Sequence, residues 1–337
     1  MKKSDIQELV QNAVLFNQPF ERNVQETHIS WVVFTADFAL KIKKPVKLSF
    51  LDFSTLELRK HFCEQEVILN SRFSNIYLSV VALSRKDKIW VFENGKEQIL
   101  EYGVVMERQA ETLRLDRLLS KNHVSIKAIA QLAHQVADFH KNAAVITTPF
   151  NLNEAKELFQ DLRSVSGLLE KSNTKWSDLI EETVKFSDEF LITNQNLFAS
   201  RTKAGWVKDV HGDLHSRNIF LKPEPVIFDC IEFNDSFRQI DVWYEVAFLC
   251  MDMEFYGHRE LSEEFFKEYI HHSGQLLNPE NRQIFTYFKM LRANVRAKVL
   301  ALQTSQGTSS NSNTENLSDP VRYLELMHAY KQELSNA

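Results

Sequence analysis

The chain has 337 residues, 44% of them apolar and 25% charged, with a formal net charge of −5. These are the proportions of a globular protein long enough for two cores, and without a basic stretch they exclude nucleic acid as a main partner. No run approaches the ~18 consecutive apolar residues of a membrane helix, so no membrane partner is expected either.

The opening Met1-Lys2-Lys3-Ser4-Asp5 is followed by Gln7, Glu8, Gln11 and Asn12, which interrupt any apolar core of a signal peptide. Residues 30–35 (SWVVFT) and 38–42 (FALKI) are β-branched or aromatic runs. Ala36-Asp37 separates them, the pattern of a tight hairpin. From about Thr55 the spacing turns helical, with Leu56, Phe62, Leu69 and Phe73 among charged neighbours and Ser54 as the expected N-cap. Residues 79–83 and 88–92 read as strands, Asn94-Gly95 as a hairpin turn, and residues 98–106 as a further strand.

Beyond Glu107 the character is helical. Ile126, Ile129, Ala130, Ala133, Val136, Ala137 and Phe139 mark one buried helix face. Further helices are expected over 150–200, and short strands at 207–210 and 226–228. Val242, Val246, Phe248, Leu249, Cys250 and Met253 belong to a mostly apolar, buried helix. Residues 305–316 (SQGTSSNSNTEN) read as a polar loop before a last helix over 319–335. The expected organisation is α+β: a small strand-rich lobe over 1–108, a linker at 107–111, and a larger helical lobe over 109–337, with a ligand in the cleft between lobes. Cys63, Cys230 and Cys250 lie far apart and form no C-x-x-C pair. That fits reduced thiols in a cytoplasm rather than disulfides or structural zinc.

The strongest local signal is H-x-D-x-x-x-x-N at His211, Asp213 and Asn218, followed after an apolar strand by Asp229. Two carboxylates and an amide so placed suit phosphoryl transfer. One carboxylate orients or deprotonates an attacking hydroxyl, while the other and the amide hold Mg²⁺ against phosphates. A pair of turn aspartates beside a hairpin is the plainer alternative. The second component is a strand lysine with a helix glutamate. A lysine over the α- and β-phosphates needs a carboxylate to hold its flexible stem. Lys41 with Glu66 fits, but Lys43 shares the face of Lys41, Lys44 and Lys47 follow, and Glu64 is an alternative partner.

These segments together resemble the aminoglycoside phosphotransferase-like branch of the protein-kinase fold, and within it an uncharacterised bacterial group of aminoglycoside-phosphotransferase-family proteins. The strings that carry the resemblance are ETHISW (26–31), ALKIKKPV (39–46), FLDFSTL (50–56), CEQEVILN (63–70), VHGDLHSRN (210–218), FDCIEFND (228–235) and IDVWYEVAFLCMDME (240–254). The resemblance implies a bilobal fold and an ATP- and Mg²⁺-dependent kinase acting on a small-molecule hydroxyl. It makes Asp213 the catalytic base or orienting carboxylate, and Asn218 and Asp229 the metal ligands. Lys41 becomes the phosphate contact, Glu66 its partner, and Glu107 with nearby backbone the adenine holder. It also implies that Asp241 braces the catalytic loop through the loop's amides; read alone, Asp241 is an ordinary N-cap. No glycine precedes Gly95, so Thr27, His28 and Ser30 stand in as phosphate-covering candidates. His215 and Arg217 could touch the phosphoryl group or brace the loop. Glu232, Asp235, Asp252 and Glu254 would favour a cationic acceptor if they faced the site. A nucleotide-binding pseudokinase is the rival, disfavoured because candidates for every kinase position are present.

Overall fold

The computed structural model describes residues 1–87, 89–92, 97–170, 175–305 and 318–336. It begins with a helix that the sequence reading passed over, α1 (Lys3–Asn12). Ile6, Leu9 and Val10 bury one face, while Gln7, Glu8 and Gln11, which break the apolar run, are its exposed side. The Lys2 N–H donates to the Asp5 carboxylate at 2.7 Å and closes the first turn.

Six antiparallel strands follow, pairing in the order β1-β2-β3-β6-β4-β5. They are β1 (Val24–Glu26), β2 (Ser30–Phe34), β3 (Phe38–Lys43), β4 (Tyr77–Lys86), β5 (Ile89–Val91) and β6 (Ile99–Glu107). The β2–β3 turn forms where the sequence places it, and Thr35 Oγ1 accepts the Phe38 N–H at 3.0 Å. The turn expected at Asn94-Gly95 and most of the polar stretch 305–316 lie outside the described residues. Helix α2 (Leu56–Asn70) is capped one residue later than expected: Thr55 Oγ1 accepts the Leu58 N–H, while Ser54 bonds Asp52.

The pleat of β3 divides the core of this part of the chain. Leu40 and Ile42 face α1 with Trp31, Val33, Leu83, Trp90 and Val105. Ala39 faces α2, with Cys63, Tyr77, Val104 and Met106. Lys41 and Lys43 share the Ala39 side because strand side chains alternate. On α2 the buried stripe is Arg59, Cys63, Glu66 and Asn70 rather than the apolar residues that suggested the helix. This helix packs by pairing charge.

The chain divides into two compact units, Met1–Arg114 with Asn218–Phe237, and Leu115–Arg217 with Arg238–Ala337. The boundary is therefore not simply at 108. The hairpin that begins at Asn218 packs with the N-terminal unit, whereas the sequence pattern groups all of 109–337 together. In the second unit the longest helices are α3 (Ile126–Asn142), α4 (Lys175–Lys203), α5 (Val242–Phe255), α6 (Arg259–Ser273), α7 (Pro279–Ser305) and α8 (Ser318–Ser335). Helix α5 is buried on every side except at Glu254. Each large apolar side chain so buried contributes about 1.5–3 kcal/mol. Among the described residues no helix is long and apolar enough to cross a membrane.

Candidate active site

In the first unit, β3, α2 and the strand end at Asp229 bring five charged side chains into one chain of contacts. Lys41 Nζ lies 2.7 Å from Glu66 Oε1 and 2.6 Å from Asp229 Oδ1. Lys43 Nζ lies 2.6 Å from Glu66 Oε2 and also bonds Glu232. The two oxygens of Glu66 are thus divided between two lysines. Side-chain exposure falls from 44% at Asp229 to 13% at Lys41, 1% at Lys43 and 0% at Glu66, so one end is open and the other sealed. Lys41 keeps part of its side chain exposed and Lys43 does not, which separates two residues that periodicity could not. Glu64 is exposed and pairs with Lys60 on the surface.

The charges respond to this packing. Burial pushes the Glu66 carboxyl up, but Lys41 and Lys43 outweigh it and hold it down at about 2. At Glu232 burial wins over Lys43 and the carboxyl rises above its ordinary value. Burial works to lower the Lys41 ammonium, yet Asp229 and Glu66 raise it well above normal.

The Asp229 segment is pinned from several sides. Its backbone is left-handed, with φ of 63°, a conformation that aspartate tolerates better than most residues. Its N–H donates to Tyr77 Oη at 2.9 Å, and the next N–H, of Cys230, donates to Asn70 Oδ1 at 2.9 Å. Asn70 in turn donates to the Glu66 carbonyl. Ile219 and Phe220 pair with Ile227 and Val226, and Phe228 N–H donates to the Asn218 carbonyl at 3.1 Å. That hairpin places Asn218 beside the Phe228-Asp229 backbone. One carboxylate and one amide are a donor set that fits Mg²⁺, which takes one or two protein oxygens and fills its octahedron with water and phosphate. Among the described residues no group of three or more His, Cys, Asp or Glu is arranged to hold a metal, so a closed protein cage is absent there.

The other sequence-predicted contacts of this unit are more committed. Ser30 is buried, its hydroxyl 2.9 Å from Thr27 Oγ1 and its N–H donated to the same oxygen, so it builds the β1–β2 turn. Lys44 braces that turn through Glu26 and the Thr27 carbonyl. Glu107 ends β6 with an exposed side chain. Its N–H goes to the Ile76 carbonyl and that of Arg108 to the Asp37 carbonyl, so neither backbone donor is open to an adenine.

In the second unit, the loop 210–217 is held by α5 and α7. Glu245 Oε1 accepts the N–H of His211 at 2.6 Å and of Gly212 at 2.8 Å. Gly212 has φ of 86°, which a side chain would strain. Asp252 Oδ2 accepts the Ser216 N–H at 2.9 Å and the Ser216 hydroxyl. Arg292 stacks 3.7 Å from the Tyr244 ring and donates to the Gly212 carbonyl at 3.3 Å. The bracing role assigned to Asp241 thus belongs to Glu245, one helical turn on. Asp241 is the α5 N-cap, accepting Trp243 N–H at 2.8 Å and pairing with Arg201. A residue at a helix start aims its side chain at its own first turn, whereas position 245 looks out at the loop.

Asp213 keeps 37% of its side chain exposed. His215 Nδ1 accepts the Arg217 N–H at 3.2 Å, and its Nε2 lies 3.4 Å from Asp213 Oδ2. Loss of hydration raises the Asp213 carboxyl, but His215, His211 and Arg296 outweigh it and hold the group below the usual carboxylate range. Arg217 remains 40% exposed, with Nε 4.0 Å from Asp116.

The acids expected to attract a cationic acceptor are mostly consumed. Glu232 is buried against Lys43 and Asp252 against Ser216 and Tyr323, while the half-buried Glu254 pairs with Lys289, Ser262 and Tyr330. Asp235 alone of the four is exposed. Tyr77, Asn70, Glu245 and Arg292 escaped the sequence reading. Only Glu245 left a signal, a carboxylate inside a mostly apolar helix.

No protein-family model matches the chain. Uncharacterised proteins of Mycobacterium tuberculosis and Mycobacterium bovis are each 33% identical to it over 314 residues, 91% of this chain. The chain spans 59% of the length of these relatives. Among solved structures, a choline kinase from Cryptosporidium parvum has a TM-score of 0.55 at 12% identity, covering 93% of this chain and 90% of that one. The GDP complex of wild-type aminoglycoside 2'-phosphotransferase-IIIa has a TM-score of 0.51 at 15% identity, covering 94% and 93%. A choline/ethanolamine kinase family protein from Mesorhizobium loti has a TM-score of 0.51 at 13% identity, covering 96% and 90%. At such identities the likeness establishes the fold: a curled antiparallel sheet with a mainly helical remainder, the protein-kinase-like fold that the aminoglycoside and choline kinases share.

Proposed function

We propose that the chain transfers the γ-phosphoryl group of ATP to a hydroxyl of a small molecule. The observation that carries this reading is the Lys41–Glu66 ion pair, with Lys41 also 2.6 Å from Asp229. An ammonium so braced is pre-positioned for phosphate oxygens, and phosphoryl transfer depends mainly on alignment and charge neutralisation.

In this reading Lys41 holds the α- and β-phosphates, and Asn218 and Asp229 hold Mg²⁺. When bound, the metal neutralises the charge on the phosphate oxygens. Asp213 accepts the acceptor's hydroxyl proton in a hydrogen bond and aims its oxygen at the γ-phosphorus. The new O–P bond forms as the bond to the ADP oxygen breaks, and the hydroxyl proton leaves through Asp213. Because this carboxyl is held below the usual range, its contribution is orientation more than proton storage. The GDP and choline-kinase neighbours support nucleotide use and a small acceptor. The pairing of Glu232, Asp252 and Glu254 with other side chains removes most of the reason to expect that acceptor to be cationic.

The test is a phosphotransfer screen with Mg²⁺ and radiolabelled ATP over sugars, amino alcohols, nucleosides and aminoglycosides, with Asp213→Ala as the blank. Label transfer by the wild type alone supports the reading. Identical signals from both proteins, or no stabilisation of the wild type by Mg-ATP, would overturn it.

A further inference from the structure

Phosphate binding and metal binding account for Lys41 and Asp229, but not for the sealed end of the same ion network. Lys43 is 1% and Glu232 4% exposed, and the pair joins β3 to a segment 189 residues away in sequence. Replacing a buried ion pair by apolar residues of the same size is often neutral or stabilising, so its presence is weak evidence for stability alone. Its geometry is more specific. Lys43 takes Oε2 of Glu66 and leaves Oε1 for Lys41. Glu232 lies three residues after Asp229, the second partner of Lys41. The inner pair thus touches both groups that hold Lys41, one directly and one through the chain.

We infer that Lys43 and Glu232 are positioning residues for nucleotide binding: they fix the rotation of the Glu66 carboxylate and the path of the 229–232 segment, and so the place of the Lys41 ammonium. This inference rests on the phosphotransferase reading. Without Lys43, Glu66 could offer either oxygen to Lys41, and the lysine's flexible stem would sample several positions. With it, the order Asp229–Lys41–Glu66–Lys43–Glu232 alternates in sign and allows one arrangement.

The experiment titrates Mg-ATP calorimetrically into the wild type, Lys41→Ala, Lys43→Arg and the double variant Lys43→Met/Glu232→Gln, with a thermal melt of each. The double variant removes one charge of each sign, so it avoids stranding a buried carboxylate as Lys43→Met alone would. It should melt cooperatively yet bind Mg-ATP about 10–100-fold more weakly, by analogy with the loss seen when residues that orient metal ligands are replaced. Lys43→Arg, which can still bridge both carboxylates, should recover most of the affinity. A double variant that binds like the wild type and differs only in melting temperature would overturn the inference and leave the functional reading standing. A wild type that binds no Mg-ATP would remove the reading itself, and the inference with it.

Discussion

The Glu245 carboxylate accepts the His211 N–H at 2.6 Å through one oxygen, while its other oxygen lies 2.6 Å from His140 Nε2. His140 Nδ1 lies 2.8 Å from Tyr269 Oη, so a buried polar chain runs from α6 through α3 and α5 to the backbone of the loop. Burial raises the Glu245 carboxyl, but His140, His211 and the loop amides outweigh it and keep it low. Glu245→Ala would leave two loop N–H groups and the imidazole without this acceptor. Loss of one partner of such a buried charged network costs about 3–5 kcal/mol. Urea unfolding of the variant should show that loss, with faster amide exchange at Gly212.

Asp213 and Asp229 should fail in different ways. Asp213→Ala should lower turnover by about 10²–10⁴-fold, the usual range for a positioned acid–base group, and leave the Kd for Mg-ATP unchanged. Asp229→Ala should weaken Mg-ATP binding itself, because it removes the proposed metal ligand and one partner of Lys41. Calorimetry beside steady-state kinetics separates the two. Equal loss of binding in both variants would contradict the division of roles.

Acid should expose the Glu66 network. Its carboxyl is lowered from 4.5 to about 2, so its stabilisation is fully present above 4.5 and disappears as pH falls through 2. Glu66→Gln lacks that contribution at every pH. The stability gap between wild type and Glu66→Gln should therefore be widest near neutrality and narrow between pH 4.5 and 2. Denaturant titrations at several pH values measure it, and a gap that widened on acidification would refute the assignment.

Gly103 on β6 is a packing position. A Cβ there would come 2.7 Å from Leu40 Cδ1 and 3.3 Å from the Lys41 carbonyl. Gly103→Ala should cost about 1–3 kcal/mol by overpacking. Because the push falls on β3 beside Lys41, the variant should also bind Mg-ATP more weakly than its lost stability explains. Thermal melts with and without nucleotide test both parts.

The sequence reading fared best where structure is local. The β2–β3 hairpin follows from two strand-forming runs and a two-residue gap, and α5 from its mostly apolar character. It did less well where polar groups are buried. Helix α2 was recognised by Leu56, Phe62 and Leu69, yet it packs through Arg59, Cys63, Glu66 and Asn70. Helix α1 was missed because its apolar face amounts to Ile6, Leu9 and Val10, too few to stand out beside Gln7, Glu8 and Gln11.

From sequence alone came the order of the elements and the chemistry on offer: Lys41 on a strand, Glu66 on the next helix, and Asp213, Asn218 and Asp229 around a loop and hairpin. Both follow from spacing, which is a property of neighbours along the chain. Tertiary structure alone decided that Lys41 is the open lysine and Lys43 the sealed one. It also decided that Glu245 rather than Asp241 holds the loop, and that the segment from Asn218 joins the N-terminal unit. Alternation makes Lys41 and Lys43 equivalent on their strand; only the distant Asp229 and Glu232 tell them apart. Depth of burial is set by what packs from elsewhere in the chain, and no local pattern records it.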